Sequence, residues 1–184
     1  MPIIAGIDEA GYGPRIGPLV LTTVVMELPA GCGHETDIWH LLKEAISDTI
    51  RKRGNRIVVN DSKKTFSQKS GLRILEETVL SFIWSKRGRV TRFSDLLRLL
   101  SNHDDDVFDK YPWYKGKDIT LPVASNVPSI LQFADLITKS IRLQNINLHA
   151  FKSIFLCVHE INREIRCDRN KALLLFNNSL QHLK

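Results

Sequence analysis

The sequence predicts an α/β fold, and three observations predict it. Two apolar runs near the N-terminus, Ile3 to Ile7 and Leu19 to Met26, are separated by a stretch dense in glycine and proline. Downstream, apolar residues recur at helical spacing in several long segments. Between those segments lie short extended runs rich in Ile, Phe and Val, as at Lys152 to His159.

Composition sets the bounds. With 184 residues, 43% of them hydrophobic, the chain can bury one sizeable core, and a single domain over 1–184 is expected. Lys and Arg number 26 against 20 Asp and Glu, a formal net charge of +6. That balance is compatible with a polyanionic partner without requiring one. Cys32, Cys157 and Cys167 are far apart and odd in number, which argues against a disulfide scaffold or a zinc site. A reducing cytoplasm and a monomer are expected. There is no signal-peptide pattern and no apolar run of membrane-spanning length, so no membrane partner is expected.

The elements follow in order. Pro2 to Asp8 reads as strand one and Pro18 to Glu27 as strand two, with a turn region from Leu28 to Glu35. Thr36 to Lys52 has helical spacing through Ile38, Leu41, Leu42, Ala45, Ile46 and Ile50, with Thr36 as N-cap. Arg56 to Asn60 is an extended lead into Asp61-Ser62-Lys63-Lys64. Ser67 to Lys86 reads as a helix with Leu72, Leu75, Val79, Phe82 and Ile83 inward. Phe93 to Leu100 is a short helix capped by Thr91 or Ser94. Ser125 or Asn126 caps a helix reaching about Arg142. Gln144 to His149 and Lys152 to His159 are extended, and Asn170 starts a last helix through Leu173, Leu174, Phe176, Leu180 and Leu183.

The segment near 103–122 has no period and reads as an irregular loop. Its aspartates, Asp104, Asp105, Asp106 and Asp109, fit a solvated turn better than a metal site. Its aromatics, Tyr111, Trp113 and Tyr114, lie among Lys110, Lys115 and Lys117. They suit stacking on bases or pinning the loop to the domain, and pinning is preferred.

The chemistry-bearing stretch is Gly6-Ile7-Asp8-Glu9-Ala10-Gly11-Tyr12-Gly13-Pro14-Arg15-Ile16-Gly17-Pro18. Neighbouring carboxylates stay ionised together most easily beside a cation, and hard oxygen ligands suit Mg²⁺ or Mn²⁺. Strand alternation would send Asp8 and Glu9 to opposite faces. They converge only if the strand ends at Asp8 and the backbone turns at Glu9, which Ala10 and Gly11 would permit. Bare backbone at Gly11 and Gly13 would let a phosphate or sugar approach. The alternative is an ordinary hairpin loop with two solvated acids. A P-loop is excluded, because no Gly-Lys-Ser/Thr follows the glycines.

The pattern Asp-Glu-x-Gly-x-Gly-Pro-x-x-Gly-Pro resembles the opening motif of the type 2 ribonucleases H, the ribonuclease HII and HIII group. Asn60-Asp61-Ser62-Lys63-Lys64 resembles the Asp-Ser-Lys-Lys segment that follows in that family. The resemblance is specific over about the first 28 residues and over 60–64. It implies a ribonuclease H-like mixed sheet with its first three strands antiparallel and helices flanking it. On this alignment the third strand is the segment around Lys152, and the sheet is incomplete at the C-terminus, so the chain is expected to be an N-terminal portion lacking two of the family's four acids.

The resemblance also implies endonucleolytic hydrolysis of the RNA strand of RNA–DNA hybrids by two metal ions, Mg²⁺ or Mn²⁺. Asp8 and Glu9 would be catalytic residues and metal ligands. Gly11, Tyr12 and Gly13 would contact the 2′-hydroxyl, and Ser62, Lys63 and Lys64 the phosphate backbone. Tyr12 stands where that group carries Arg or Lys, and a phenol cannot pair with phosphate as a cation. The competing expectation is a non-catalytic nucleic-acid-binding module of the same fold. Asp135, the isolated internal acid, fits an exposed helix face.

Overall fold

The computed structural model describes residues 1–11, 17–66, 71–101, 111–116, 118–168 and 170–182. Tyr12, Gly13 and the four aspartates between 104 and 109 lie outside the described residues. The chain forms two compact units, interleaved in sequence, where the sequence reads as one domain. The first gathers Met1–Ile3, Glu27–Leu96 and Asp118–Leu148, and the second Ile4–Met26, Leu97–Lys117 and His149–Lys184. The whole is α/β, with an antiparallel three-stranded sheet and flanking helices.

That sheet contains β1 (Ile3–Ala10), β2 (Leu19–Glu27) and β5 (Asn147–Leu156) in the order β1-β2-β5. Leu19, Leu21 and Thr23 of β2 are buried at every second position, the period of a pleated strand with one face covered. Leu19 and Leu21 meet Leu156 of β5 and Leu174 of the C-terminal helix, with Ile154, Ile161, Ile165 and Leu175 packed around them. The sequence placed two extended segments between Gln144 and His159. They are one ten-residue strand, and Val158 and His159 belong to a helix that was not expected, Val158–Asp168. Ile161 and Ile165, four residues apart, carry its apolar stripe, and Glu160 turns back to accept the Cys157 N–H (2.8 Å) at its start.

The first unit is helical around a minimal parallel pair. Its elements are α1 (Ile38–Leu41), β3 (Ile46–Ser47), β4 (Ile57–Val58), α2 (Ser62–Thr65), α3 (Arg73–Arg87), the start of α4 (Phe93–Leu100) and α5 (Val127–Leu143). The second unit adds α6 (Val158–Asp168) and α7 (Lys171–His182). The expected helix over 36–52 is not there. Asp37, not Thr36, caps α1, accepting the His40 N–H at 3.1 Å, and the helix stops after one turn. The chain then pairs Ile46 with Ile57 and Ser47 with Val58 in parallel. Leu42, Ala45 and Ile46 are buried as helical spacing requires, but Ile50 is exposed. A buried strand satisfied the same apolar letters, and Ser47-Asp48-Thr49 are weak helix formers that bond locally: the Ser47 hydroxyl donates to the Thr49 carbonyl at 3.0 Å.

Helix α3 forms but is rotated from expectation. Leu72 and Val79 are exposed, while Ile74, Leu80, Ile83 and Trp84 are buried together with Glu76 and Glu77. It packs on α5, whose buried face includes Ile130, Phe133, Ala134 and Ile137, and Asn126 caps that helix as expected, accepting the Ser129 N–H at 2.9 Å. Helix α4 has the expected bounds. Its first turn is held by Asp118, which accepts from both the N–H and the hydroxyl of Ser94, each at 3.0 Å.

Candidate functional site

Strand β1 carries the candidate carboxylates. It remains extended through Ala10, and the turn comes at Gly11, whose φ of 83° favours a residue without Cβ. The expected break at Asp8 is therefore two residues early. In an extended strand neighbouring side chains leave opposite faces, so Asp8 and Glu9 do not converge. The physical reason is pairing: the ladder with β2 keeps both residues extended, and glycine's freedom is used only after them. Both acids are exposed, and Asp8 Oδ1 accepts the N–H of Glu9 at 2.9 Å. Pleating thus leaves one carboxylate on each face. Two metal ions need more negative charge than that, so this pair does not by itself fit a two-metal centre. Among the described residues, no group of three or more His, Cys, Asp or Glu is placed to hold a metal ion. Asp135 is exposed on α5, beside Gln132 and Lys139.

The second motif sits in the first unit and is set by local bonds. Asn60 Oδ1 accepts the Asp61 N–H (2.7 Å), and its amide donates to the Asp48 carbonyl (2.6 Å). Asp61 caps the one-turn helix α2 by accepting the Lys63 N–H at 2.7 Å. Thr65 is buried, and its hydroxyl donates to the carbonyls of Asp61 (3.1 Å) and Ser62 (3.2 Å). Asp61 and Thr65 thus anchor the turn, while Ser62, Lys63 and Lys64 are exposed. Neither lysine has an ion pair among the described residues. Their charge is available to an external anion.

The aromatic segment of the second unit is anchored. Tyr111 packs at 5.3 Å from Trp113, 6.3 Å from Tyr114 and 6.1 Å from His159, centroid to centroid. Its hydroxyl lies 2.5 Å from His159 Nδ1. Burial, and then the adjacent Cys157 thiol, push its ionisation above the ordinary tyrosine range. Trp113 keeps an exposed ring.

Two features escaped the sequence reading. One is a second pair of adjacent acids, Glu76 and Glu77, both buried on α3. Glu76 accepts three backbone N–H groups, from Val123 (2.5 Å), Ala124 (2.7 Å) and Ser125 (2.8 Å). Glu77 binds Arg53 at 2.7 Å and Arg73 at 3.0 Å. The Arg73–Glu77 spacing of four was the available signal. The other is a cleft of ≈ 410 Å³ lined by Asp37, Trp39, Lys43, Asp48, Lys52 and Arg56, among others. The helical spacing over 36–52 hides it, because a single helix there would leave no such cleft. Among the described residues no helix is long and apolar enough to cross a membrane. No protein-family model, curated protein or solved structure matches the chain.

Proposed function

We propose that the chain works on RNA–DNA hybrids as a ribonuclease H type 2-like domain. Its exposed Ser62, Lys63 and Lys64 engage the phosphate backbone. Asp8, with Glu9 beside it in sequence, is its share of a site for endonucleolytic hydrolysis of the RNA strand with Mg²⁺ or Mn²⁺. One observation carries this reading. Two motifs of the type 2 pattern, Asp8-Glu9 with its glycine-rich continuation and Asp61 to Lys64, stand in the expected order, the first on a strand of an antiparallel three-stranded sheet. The two exposed lysines, without an ion pair among the described residues, add a reason for a polyanion partner.

A second reading, a non-catalytic hybrid-binding module of the same fold, is favoured by the extended backbone at Asp8 and Glu9. On either reading the chain binds the hybrid. By itself it holds metal weakly and cleaves poorly or not at all, because one carboxylate per face binds at most a single hydrated ion. The test titrates an RNA–DNA hybrid and the matching DNA duplex with the wild-type chain, Asp8→Asn and Lys63→Gln/Lys64→Gln, with and without Mn²⁺. Preference for the hybrid with metal-dependent cleavage that Asp8→Asn removes supports the hydrolase. Hybrid binding without cleavage, unaffected by Asp8→Asn and weakened by the lysine changes, supports the module. Absence of hybrid binding overturns both.

A further inference from the structure

The cleft lined by α1, β3 and the segments beside them in the first unit has a composition of its own. Trp39 is 47% exposed, yet its ring is fixed: the indole N–H donates to the Val59 carbonyl at 2.9 Å. A held, exposed aromatic face is a stacking platform whose ordering cost is already met by the fold. Arg56 is half-buried, and its guanidinium donates to three backbone carbonyls, of Arg53 (3.1 Å), Lys43 (3.0 Å) and Lys52. Carbonyls satisfy its donors without cancelling its charge. Lys43 and Lys52 line the same cleft, are exposed, and have no carboxylate partner among the described residues. Of the two acids present, Asp37 is engaged in capping α1. Asp48 leaves an acceptor for a sugar hydroxyl or a base amino group. Three cations thus face two carboxylates beside one aromatic platform.

We propose that this cleft binds a nucleotide unit, its base stacked on Trp39 and its phosphate held by Lys43 and Lys52 beside Arg56. The volume lies within the ordinary range of small-molecule sites, roughly 300–1,000 Å³. The unit can be a free mononucleotide or one residue of a single strand, because both present the same base and phosphate. The site uses neither Asp8 nor Glu9, so it stands apart from the hydrolytic reading.

The experiment titrates the whole chain in EDTA with uridine monophosphate and with a ten-residue oligouridylate, following tryptophan fluorescence and, separately, anisotropy of a labelled oligomer. Binding with quenching is expected. Trp39→Ala should weaken it roughly 10- to 100-fold, the range for loss of one stacked base, and Trp39→Phe should retain most of it. Lys43→Gln/Lys52→Gln should weaken it and flatten its salt dependence. Equal affinity for monomer and oligomer assigns a free nucleotide; binding of the oligomer alone assigns a strand. Should Trp39→Ala fail to fold by circular dichroism, the double lysine variant decides. No binding by the wild-type chain, or affinity unchanged in folded Trp39→Ala or in the lysine variant, overturns the proposal. Loss of binding in Trp39→Ala reads this cleft, whereas hybrid cleavage reads Asp8, so failure of one is distinguishable from failure of the other.

Discussion

Among the described residues two pairs of adjacent acids lie in different regions, and their fates differ. Asp8 and Glu9 lie on an exposed strand end, and among the described residues no other side chain is bonded to either. Glu76 and Glu77 lie buried on α3, and their acceptors are filled by three backbone N–H groups and two guanidinium groups. The difference teaches how to read such pairs. Geometry assigns them: a strand separates neighbours by its pleat, while a helix turns them by about 100°, so both can be buried toward different partners. A carboxylate already saturated by its own chain is architecture. One left exposed beside a glycine turn is available to a ligand.

Several measurements break or sharpen that contrast. The largest effect is expected at Glu77. Glu77→Ala leaves Arg53, only 16% exposed, without its counter-charge. It should destabilise the chain by about 3–5 kcal/mol in urea unfolding. A loss under 1 kcal/mol would mean that the arginines find other partners. Glu76→Gln keeps the shape and an acceptor oxygen but loses the charge that receives the 123–125 backbone. A cost of about 1–3 kcal/mol is expected. By contrast, Asp8→Asn and Glu9→Gln should each stay within about 0.5 kcal/mol of wild type, as exposed positions do. A large loss at either would show that the strand end is structural after all.

Lysine removal at the second motif should leave stability unchanged. It should lower the salt slope of hybrid binding by about one unit per lysine. An unchanged slope would place the hybrid elsewhere. The smallest effect concerns Asp118. The Ser94 N–H and hydroxyl, with Arg92 at 2.9 Å, hold its carboxyl below the usual range despite its exposure. A depressed carboxylate contributes its stability above the unfolded-state pKa and loses it as pH falls through the folded-state value. Acid should therefore loosen the start of α4 only below the ordinary aspartate range. Amide exchange at Ser94 should show this in the wild type and not in Asp118→Asn.

How legible the chain was depended on where each element finds its hydrogen bonds. Helices α5 and α7 announced themselves through caps and period, and Asn126 and Asn170 cap as their positions imply; α4 did so through period alone, since Ser94 lies inside it and donates to Asp118 instead of capping. The Asp61 turn was legible for the same reason, since its bonds run between residues one to four apart. Helix α3 is apolar on more than one side, so period alone did not choose its inward face. Only packing on α5 and the polar partners of Glu76 and Glu77 chose it.

What the sequence determined by itself is the α/β class, the two N-terminal strands, the capped helices and the residue types of the two motifs. These rest on period, side-chain chemistry and bonds within a few residues. Tertiary structure alone decided that 46–47 pairs as strand, that α3 turns two glutamates inward, that a basic cleft opens beside Trp39, and that β1 runs on to Ala10. Each of these depends on a partner distant in sequence, and local chemistry does not encode the strand that a residue will meet.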